Sequence, residues 1–181
     1  LDPKKKLVLF VMGSLGSSKM NEILCQTMHS FEGKSYEILF VTGKGDYENI
    51  RKKQFPKNIK VVPYIENLPR VMKKVDVMVT RAGASTLSEI IALEVPSILI
   101  PSPYVPNNHQ FKNAMDLVQV EAAILVEEKD LVENKLATEI DLLMKEDAKR
   151  TLMRKNLRTL GIPDSAEVIY QELKNLIKGK S

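Results

Sequence analysis

Three stretches of the chain combine residue types and spacing that could do chemistry on a phosphorylated or sugar-bearing molecule. The first is Thr80-Arg81-Ala82-Gly83-Ala84-Ser85-Thr86-Leu87-Ser88-Glu89. Small residues at a helix start let a ligand approach unpaired backbone N–H groups, where the helix dipole favours negative charge. Glu89 lies one turn further on, where a carboxylate could accept hydrogen bonds from ribose hydroxyls. The same spacing has a second reading: Thr86-x-x-Glu89 is a capping box, with the carboxylate turned back onto its own backbone, and on spacing alone that reading leads. The second stretch is Met12-Gly13-Ser14-Leu15-Gly16-Ser17-Ser18. Gly13 and Gly16 permit a tight turn and close backbone approach, so the loop with Ser14 could cradle a phosphate. It is neither a dinucleotide fingerprint nor a P-loop, since no Gly-Lys-Ser/Thr follows, and a plain turn with a serine helix cap fits equally well. The third is Pro101-Ser102-Pro103-Tyr104-Val105-Pro106-Asn107-Asn108-His109-Gln110. Its three prolines make a stiff loop, and His109 and Gln110 could hydrogen-bond sugar hydroxyls or a phosphate, or simply open an exposed helix.

A metal has little to hold it. His29 and His109 are the only histidines and fall on different elements, and no Asp-x-Asp pair follows a strand. The connection Tyr64-Ile65-Glu66-Asn67-Leu68 is short and apolar. A flat base could lie against it and pair with its backbone, a signal that carries weight only beside the other loops.

The elements that must position these residues alternate regularly. Segments 7–12, 37–42, 59–63, 76–80, 97–100 and 123–126 read as strands, several of them almost wholly apolar, as strands covered on both faces are. Helical stretches are expected near 19–30, 46–53, 67–74, 85–94, 108–120 and 130–145. This is the pattern of an α/β fold with a doubly wound, six-stranded parallel sheet, Rossmann-like in form. In such a sheet ligands bind beyond the carboxyl ends of the strands, where strand order reverses, and each loop described above follows a strand. Residues 147–160 are helical by composition, Gly161 fits a C-cap and Pro163 a stop, and Asp164 or Ser165 could cap a last helix reaching about residue 178. The expected organisation is a Rossmann-like domain over 1–160 and a C-terminal helix within 161–181, packed across the domain or toward a second one.

With 181 residues the chain fits one domain. Cys25 is its only cysteine, which rules out an internal disulfide and a cysteine-cluster metal site and suits a reducing compartment. No apolar run approaches the roughly 20 residues of a membrane span, and the apolar run at 7–12 is too short for a signal peptide. The 27 basic against 23 acidic residues give a net charge of +4. That mild bias could favour an anionic ligand or an anionic membrane surface, and with no Arg-rich stripe interleaved with aromatics it argues against nucleic acid. The chain opens at Leu1 and runs straight into a strand, so it reads as a piece of a longer polypeptide.

Taken together, Gly13-Ser14-Leu15-Gly16, Tyr64-Ile65, the 81–89 segment, Pro96, Pro101, Asn108-His109-Gln110 and Asn113-Ala114 resemble the C-terminal half of the MurG family of GT-B glycosyltransferases (glycosyltransferase family 28), over about residues 7–160. The resemblance implies one half of a GT-B fold and an inverting, metal-independent N-acetylglucosaminyltransferase of peptidoglycan synthesis. Its donor would be UDP-N-acetylglucosamine and its acceptor lipid I, undecaprenyl-pyrophosphoryl-N-acetylmuramoyl pentapeptide, converted to lipid II at the cytoplasmic face of the bacterial membrane by a peripheral protein. It further implies that Gly13, Ser14 and Gly16 contact the diphosphate, that the Ile65 backbone reads uracil, and that Glu89 binds the ribose hydroxyls. Gly83, Ala84, Ser85 and Thr86 would line diphosphate and sugar, and His109 with Gln110 would hold the N-acetylglucosamine hydroxyls. No cofactor is implied, because a helix N-terminus neutralises the leaving UDP. The acceptor loop, the general base and the membrane-facing patch belong to the family's N-terminal domain, so this chain alone is expected to bind donor with little or no transfer. Met12 stands where the family commonly has a second glycine, and Ser17 where it has alanine. Two other readings compete: a stand-alone subunit of another lipid-linked N-acetylglucosamine transferase, and a nucleotide-binding module without catalysis. Arg81 has no role in this scheme beyond ordering its loop.

Overall fold

The computed structural model describes residues 2, 4–12, 18–161, 170, 171 and 173–175. Six parallel strands, β1 (Leu7–Val11), β2 (Glu37–Val41), β3 (Ile59–Val62), β4 (Val77–Thr80), β5 (Ser97–Leu99) and β6 (Ala123–Leu125), form one sheet in the order β3-β2-β1-β4-β5-β6. The order reverses between β1 and β4, which pair directly, Phe10 opposite Val79. Both faces of the central strands are buried, which is why β1 and β2 read as unbroken apolar runs rather than alternating ones.

Successive side chains still point to opposite faces. Val8 and Phe10 enter one core cluster with Met20, Leu24, Phe31, Phe40, Ile140 and Leu143, while Leu9 and Val11 enter a second with Leu39, Met78, Leu87, Ile90, Leu117 and Leu157. The first lies under α1 (Ser18–Thr27), a 3-10 turn (Met28–Phe31), α2 (Lys44–Ile50) and α6 (Lys135–Lys145). Its centre is aromatic, with Phe10 edge-on to Phe31 at 6.0 Å and to Phe40 at 6.3 Å, the offset geometry that ring quadrupoles favour. The second lies under α3 (Leu68–Met72), α4 (Ala84–Leu93), α5 (His109–Val118) and α7 (Asp147–Leu160).

Two expectations need correction. The single helix expected over 130–145 is two elements, a 3-10 segment (Glu128–Glu133) and α6, separated by Asn134 in the left-handed region at φ 58°. Hydrophobic period continues across that break and hides it. The capping box at Thr86 and Glu89 does not form either: α4 begins at Ala84 with Gly83 as its extended N-cap, and Leu87 N–H donates to Gly83 O at 3.0 Å. Thr86 therefore sits inside the first turn, and Glu89 nearly two turns from the cap.

α7 fastens the amino-terminal end of the sheet. Arg154 donates to Glu94 O at 2.8 Å and Val75 O at 3.3 Å, Arg158 forks onto the Glu94 carboxylate at 2.9 and 2.7 Å, and Asp147 pairs with Lys6 at 2.6 Å. Glu94 closes α4 in the left-handed conformation, φ 53°, and the Arg158 guanidinium holds its carboxyl below the usual carboxylate range. Gly161 ends α7 in an extended conformation. Of the last helix expected, residues 170, 171 and 173–175 are helical and the rest, with Asp164 and Ser165, lies outside the described residues.

Candidate functional site

The carboxyl ends of β2, β1 and β4 open into a pocket of about 280 Å³ at the point where strand order reverses. Val11, Val41 and Met78 give it an apolar floor, and Gly43 closes one side. The segment after β3 contributes Tyr64, Ile65 and Glu66, and the first turns of α4 contribute Ser85, Thr86 and Glu89. Local chemistry explains both walls. Asn67 caps α3 by accepting from Arg70 N–H at 3.0 Å, with Pro69 in the first turn, so only the short connection 63–67 separates β3 from α3. Gly83 starts α4 without a side chain, and a Cβ there would meet nothing within 4 Å.

Four of the residues singled out from sequence thus share one wall-to-wall space: Ile65, Ser85, Thr86 and Glu89. Glu89 is exposed and makes no hydrogen bond or ion pair among the described residues. Its carboxylate is an acceptor with both oxygens available, which the capping-box reading had denied it. Gly83 stands at the mouth as the N-cap. Ala84 turns the other way, into a shallow groove between α4 and α5 with Leu87, Ser88 and Asn113. Gly13, Ser14 and Gly16 lie outside the described residues.

His109 and Gln110 open α5 beyond β5 and do not line this pocket. His109 is exposed, with Nδ1 3.0 Å from Pro106 O. Gln110 is half-buried and accepts through Oε1 from Ser102 N–H at 2.9 Å. Adjacent left-handed residues Asn107 and Asn108, φ 54° and 51°, turn the loop into α5, and asparagine tolerates that region better than most residues. Asn113 donates to Ala82 O at 3.3 Å and ties α5 to the start of α4.

Two residues of the 80–89 stretch have surroundings that its spacing did not display. Thr80, the last residue of β4, is fully buried on the pocket wall, and its hydroxyl has no hydrogen-bond partner among the described residues; buried hydroxyls are ordinarily satisfied. Arg81, next in sequence, donates to Ile100 O at 3.1 Å and to Glu128 at 3.0 Å, an ion pair whose side chains are 12% and 9% exposed. Lys19 approaches the other Glu128 oxygen at 3.8 Å, lies 4.4 Å over the Tyr104 ring and hydrogen-bonds its hydroxyl, which raises the Lys19 pKa. The loops after β4, β5 and β6 and the start of α1 are thereby held in one network. Arg81 thus orders the carboxyl-end loops, the role expected of it, through a partner 47 positions away that the sequence did not name. The described residues contain no group of three or more His, Cys, Asp or Glu side chains placed to hold a metal ion.

Comparison with known proteins agrees with this architecture. The glycosyltransferase family 28 C-terminal domain matches residues 7–169. The chain is 40% identical to a UDP-N-acetylglucosamine–N-acetylmuramyl-(pentapeptide) pyrophosphoryl-undecaprenol N-acetylglucosamine transferase of Pediococcus pentosaceus, over 98% of this chain and 50% of that protein. A transferase of the same name from Bacillus cereus is 42% identical over 97% and 49%. The chain therefore spans about half the length of the curated relatives it matches. Among solved structures it superposes on MurG of Acinetobacter baumannii with a TM-score of 0.84 at 25% identity, covering 95% of this chain and 52% of that one. The glycosyltransferase VinC, solved in complex with DTDP, shares the fold at a TM-score of 0.71 and 16% identity, over 86% and 37%. From β1 to beyond α7, sheet order and sequence match the same domain, and the chain belongs to the glycosyltransferase family 28 C-terminal domain family.

Proposed function

We propose that this chain is the donor-binding half of an inverting, metal-independent transferase that moves N-acetylglucosamine from UDP-N-acetylglucosamine to lipid I, forming lipid II. The observation that carries the reading is the pocket at the strand-order reversal, lined by Ile65 on the segment after β3 and by the uncommitted carboxylate of Glu89 over an apolar floor. Uracil fits the Ile65 side, because a flat base can pair with backbone groups while its faces rest on apolar atoms. Ribose then falls beside Glu89, which accepts from its hydroxyls. The diphosphate follows toward the amino end of α4, where Gly83, Ala84, Ser85 and Thr86 present unpaired N–H groups and the positive end of the helix dipole. The Gly13–Ser14–Gly16 loop would close over the phosphates, and His109 with Gln110 would meet the sugar. Gln110 keeps its amide NH₂ for that contact, since its oxygen already serves Ser102.

In the reaction the departing UDP gains negative charge, and a fixed helix end stabilises it without reorganisation. The attacking hydroxyl needs a base on the opposite side of the sugar. We place that base, the lipid I contacts and the peripheral contact with the cytoplasmic face of the membrane in the half of the relatives that this chain does not span. No helix of the described residues is long and apolar enough to cross a membrane.

Calorimetric titration of the 181-residue chain tests the proposal. UDP and UDP-N-acetylglucosamine should bind saturably, ADP at least tenfold more weakly, and transfer to lipid I should be absent or slight. A chain that ignores UDP at millimolar concentration, or binds ADP equally well, sinks the reading.

A further inference from the structure

One stretch of the chain places uncompensated positive charge at the edge of the sheet. Residues 49–65 carry Arg51, Lys52, Lys53, Lys57 and Lys60 and no acidic residue, five charges in a chain whose formal net charge is +4. The remainder is therefore slightly acidic. The fold draws four of the five, Arg51, Lys53, Lys57 and Lys60, around a groove along β3. Arg51 is satisfied locally by Glu48 at 2.8 Å. Lys53, Lys57 and Lys60 have no ion pair among the described residues. Glu37, the carboxylate on the groove wall, is buried and accepts from Asp2 N–H at 2.7 Å.

β3 is also an edge of the sheet. Ile38 N–H donates to Asn58 O at 2.8 Å and Thr42 N–H to Val62 O at 3.1 Å. Backbone groups of alternate residues point the same way in a parallel ladder, so Asn58, Lys60 and Val62 face β2, while Ile59 and Val61 turn theirs outward. Ile59 N–H is taken by Pro56 O at 2.9 Å. The Ile59 carbonyl and both backbone groups of Val61 have no partner among the described residues. An unpaired edge beside uncompensated lysines has a ready complement, because an added strand gains main-chain hydrogen bonds and sets its side chains against the groove.

We propose that this groove is a docking site for an acidic, extended segment of another protein, which adds beside β3 as a seventh strand with its carboxylates against Lys53, Lys57 and Lys60. A second copy of the chain is a poor occupant, since it would bring the same cations edge to edge. An anionic bilayer would meet the lysines, but it would leave the edge groups unpaired and could not enter a groove whose apolar residues, Phe55 and Ile59 among them, are partly buried. The groove lies where the chain enters β3, and the proposed donor pocket lies where it leaves, so the two sites are separable.

The test uses a fluorescein-labelled peptide of four Glu-Val repeats and fluorescence anisotropy. The 181-residue chain should bind it saturably, and affinity should fall at least tenfold in Lys53→Glu/Lys57→Glu/Lys60→Glu. The milder Lys53→Gln/Lys57→Gln/Lys60→Gln guards against misfolding and should fall at least threefold, with the circular-dichroism melt of each variant near that of the parent. A peptide N-methylated at alternate amides keeps its charge but cannot pair as a strand, and should bind at least fivefold more weakly. No saturable binding, equal binding by the folded lysine variants, or equal binding of the methylated peptide overturns the proposal. So does lysine-dependent sedimentation with phosphatidylglycerol vesicles that the peptide fails to compete, which would make the surface a membrane contact, and so does lysine-dependent dimerisation in analytical ultracentrifugation.

Discussion

Glu89 and Arg81 stand at the two ends of one short segment and do opposite things. Glu89 is exposed and uncommitted among the described residues, so Glu89→Ala should leave the melting temperature within a degree or two of the parent. On the donor-pocket reading it should weaken UDP binding roughly ten- to hundredfold, since a lost hydrogen bond to a charged group is worth about 1.5–3 kcal/mol; calorimetry and a thermal melt on the same sample separate the two effects. Arg81 is committed at both ends of its guanidinium, to Ile100 O and to the largely buried Glu128. Arg81→Ala strands that carboxylate and should destabilise the fold by about 3 kcal/mol, the lower end for a broken buried pair, because Lys19 stays 3.8 Å from Glu128. Urea unfolding measures it, and Arg81→Ala/Glu128→Gln should recover much of the loss. The sequence displays residue types well and partners poorly. Ser85, Thr86 and Glu89 were visible as a helix start, while the Arg81–Glu128 pair and the role of Thr80 on the pocket wall depend on which strands become neighbours.

At the scale of elements, the six strands were legible because a parallel sheet buried on both faces demands continuous apolar runs, and LVLFV and EILFV have few other uses. Helix ends were harder to see. Gly83 caps α4 with its backbone alone, so the expected start near 85 falls within a residue of Ala84, while no residue type spoke against the competing Thr86–Glu89 capping box. Asn134 breaks 130–145 by conformation rather than by polarity, since the apolar period runs through it. Its left-handed backbone gives a direct check: Asn134→Ala should lower stability by about 1 kcal/mol, because a Cβ without a compensating side chain is disfavoured there, whereas Asn134→Gly should be neutral or slightly stabilising in the same urea titration. The Gly13–Gly16 loop, the first of the sequence's candidate phosphate sites, falls outside the described residues, so its part in the site rests on sequence alone.

At the scale of the whole molecule, contacts distant in sequence decide how stability responds to conditions. Tyr36 at the entrance to β2 is buried and donates to Asp141 of α6 at 2.9 Å. Burial, and then that carboxylate, push its phenol far above the ordinary tyrosine value. Below pH about 10 the phenol is protonated in folded and unfolded chains alike, and its contribution is intact. As pH rises past that value the unfolded chain ionises and the folded one does not, so stability declines on the alkaline side. Tyr36→Phe should flatten that decline in urea midpoints between pH 8 and 11, while losing roughly 1.5 kcal/mol at neutral pH with the bond to Asp141. α7 extends the same logic across the amino-terminal end of the sheet, where it grips Lys6, Val75 and Glu94. Lys6, just ahead of β1, meets Asp147 141 positions later in the chain. A nascent chain arrested before α7 emerges has every strand made but that end of the sheet unfastened, and it is in this interval that the domain would most need a chaperone.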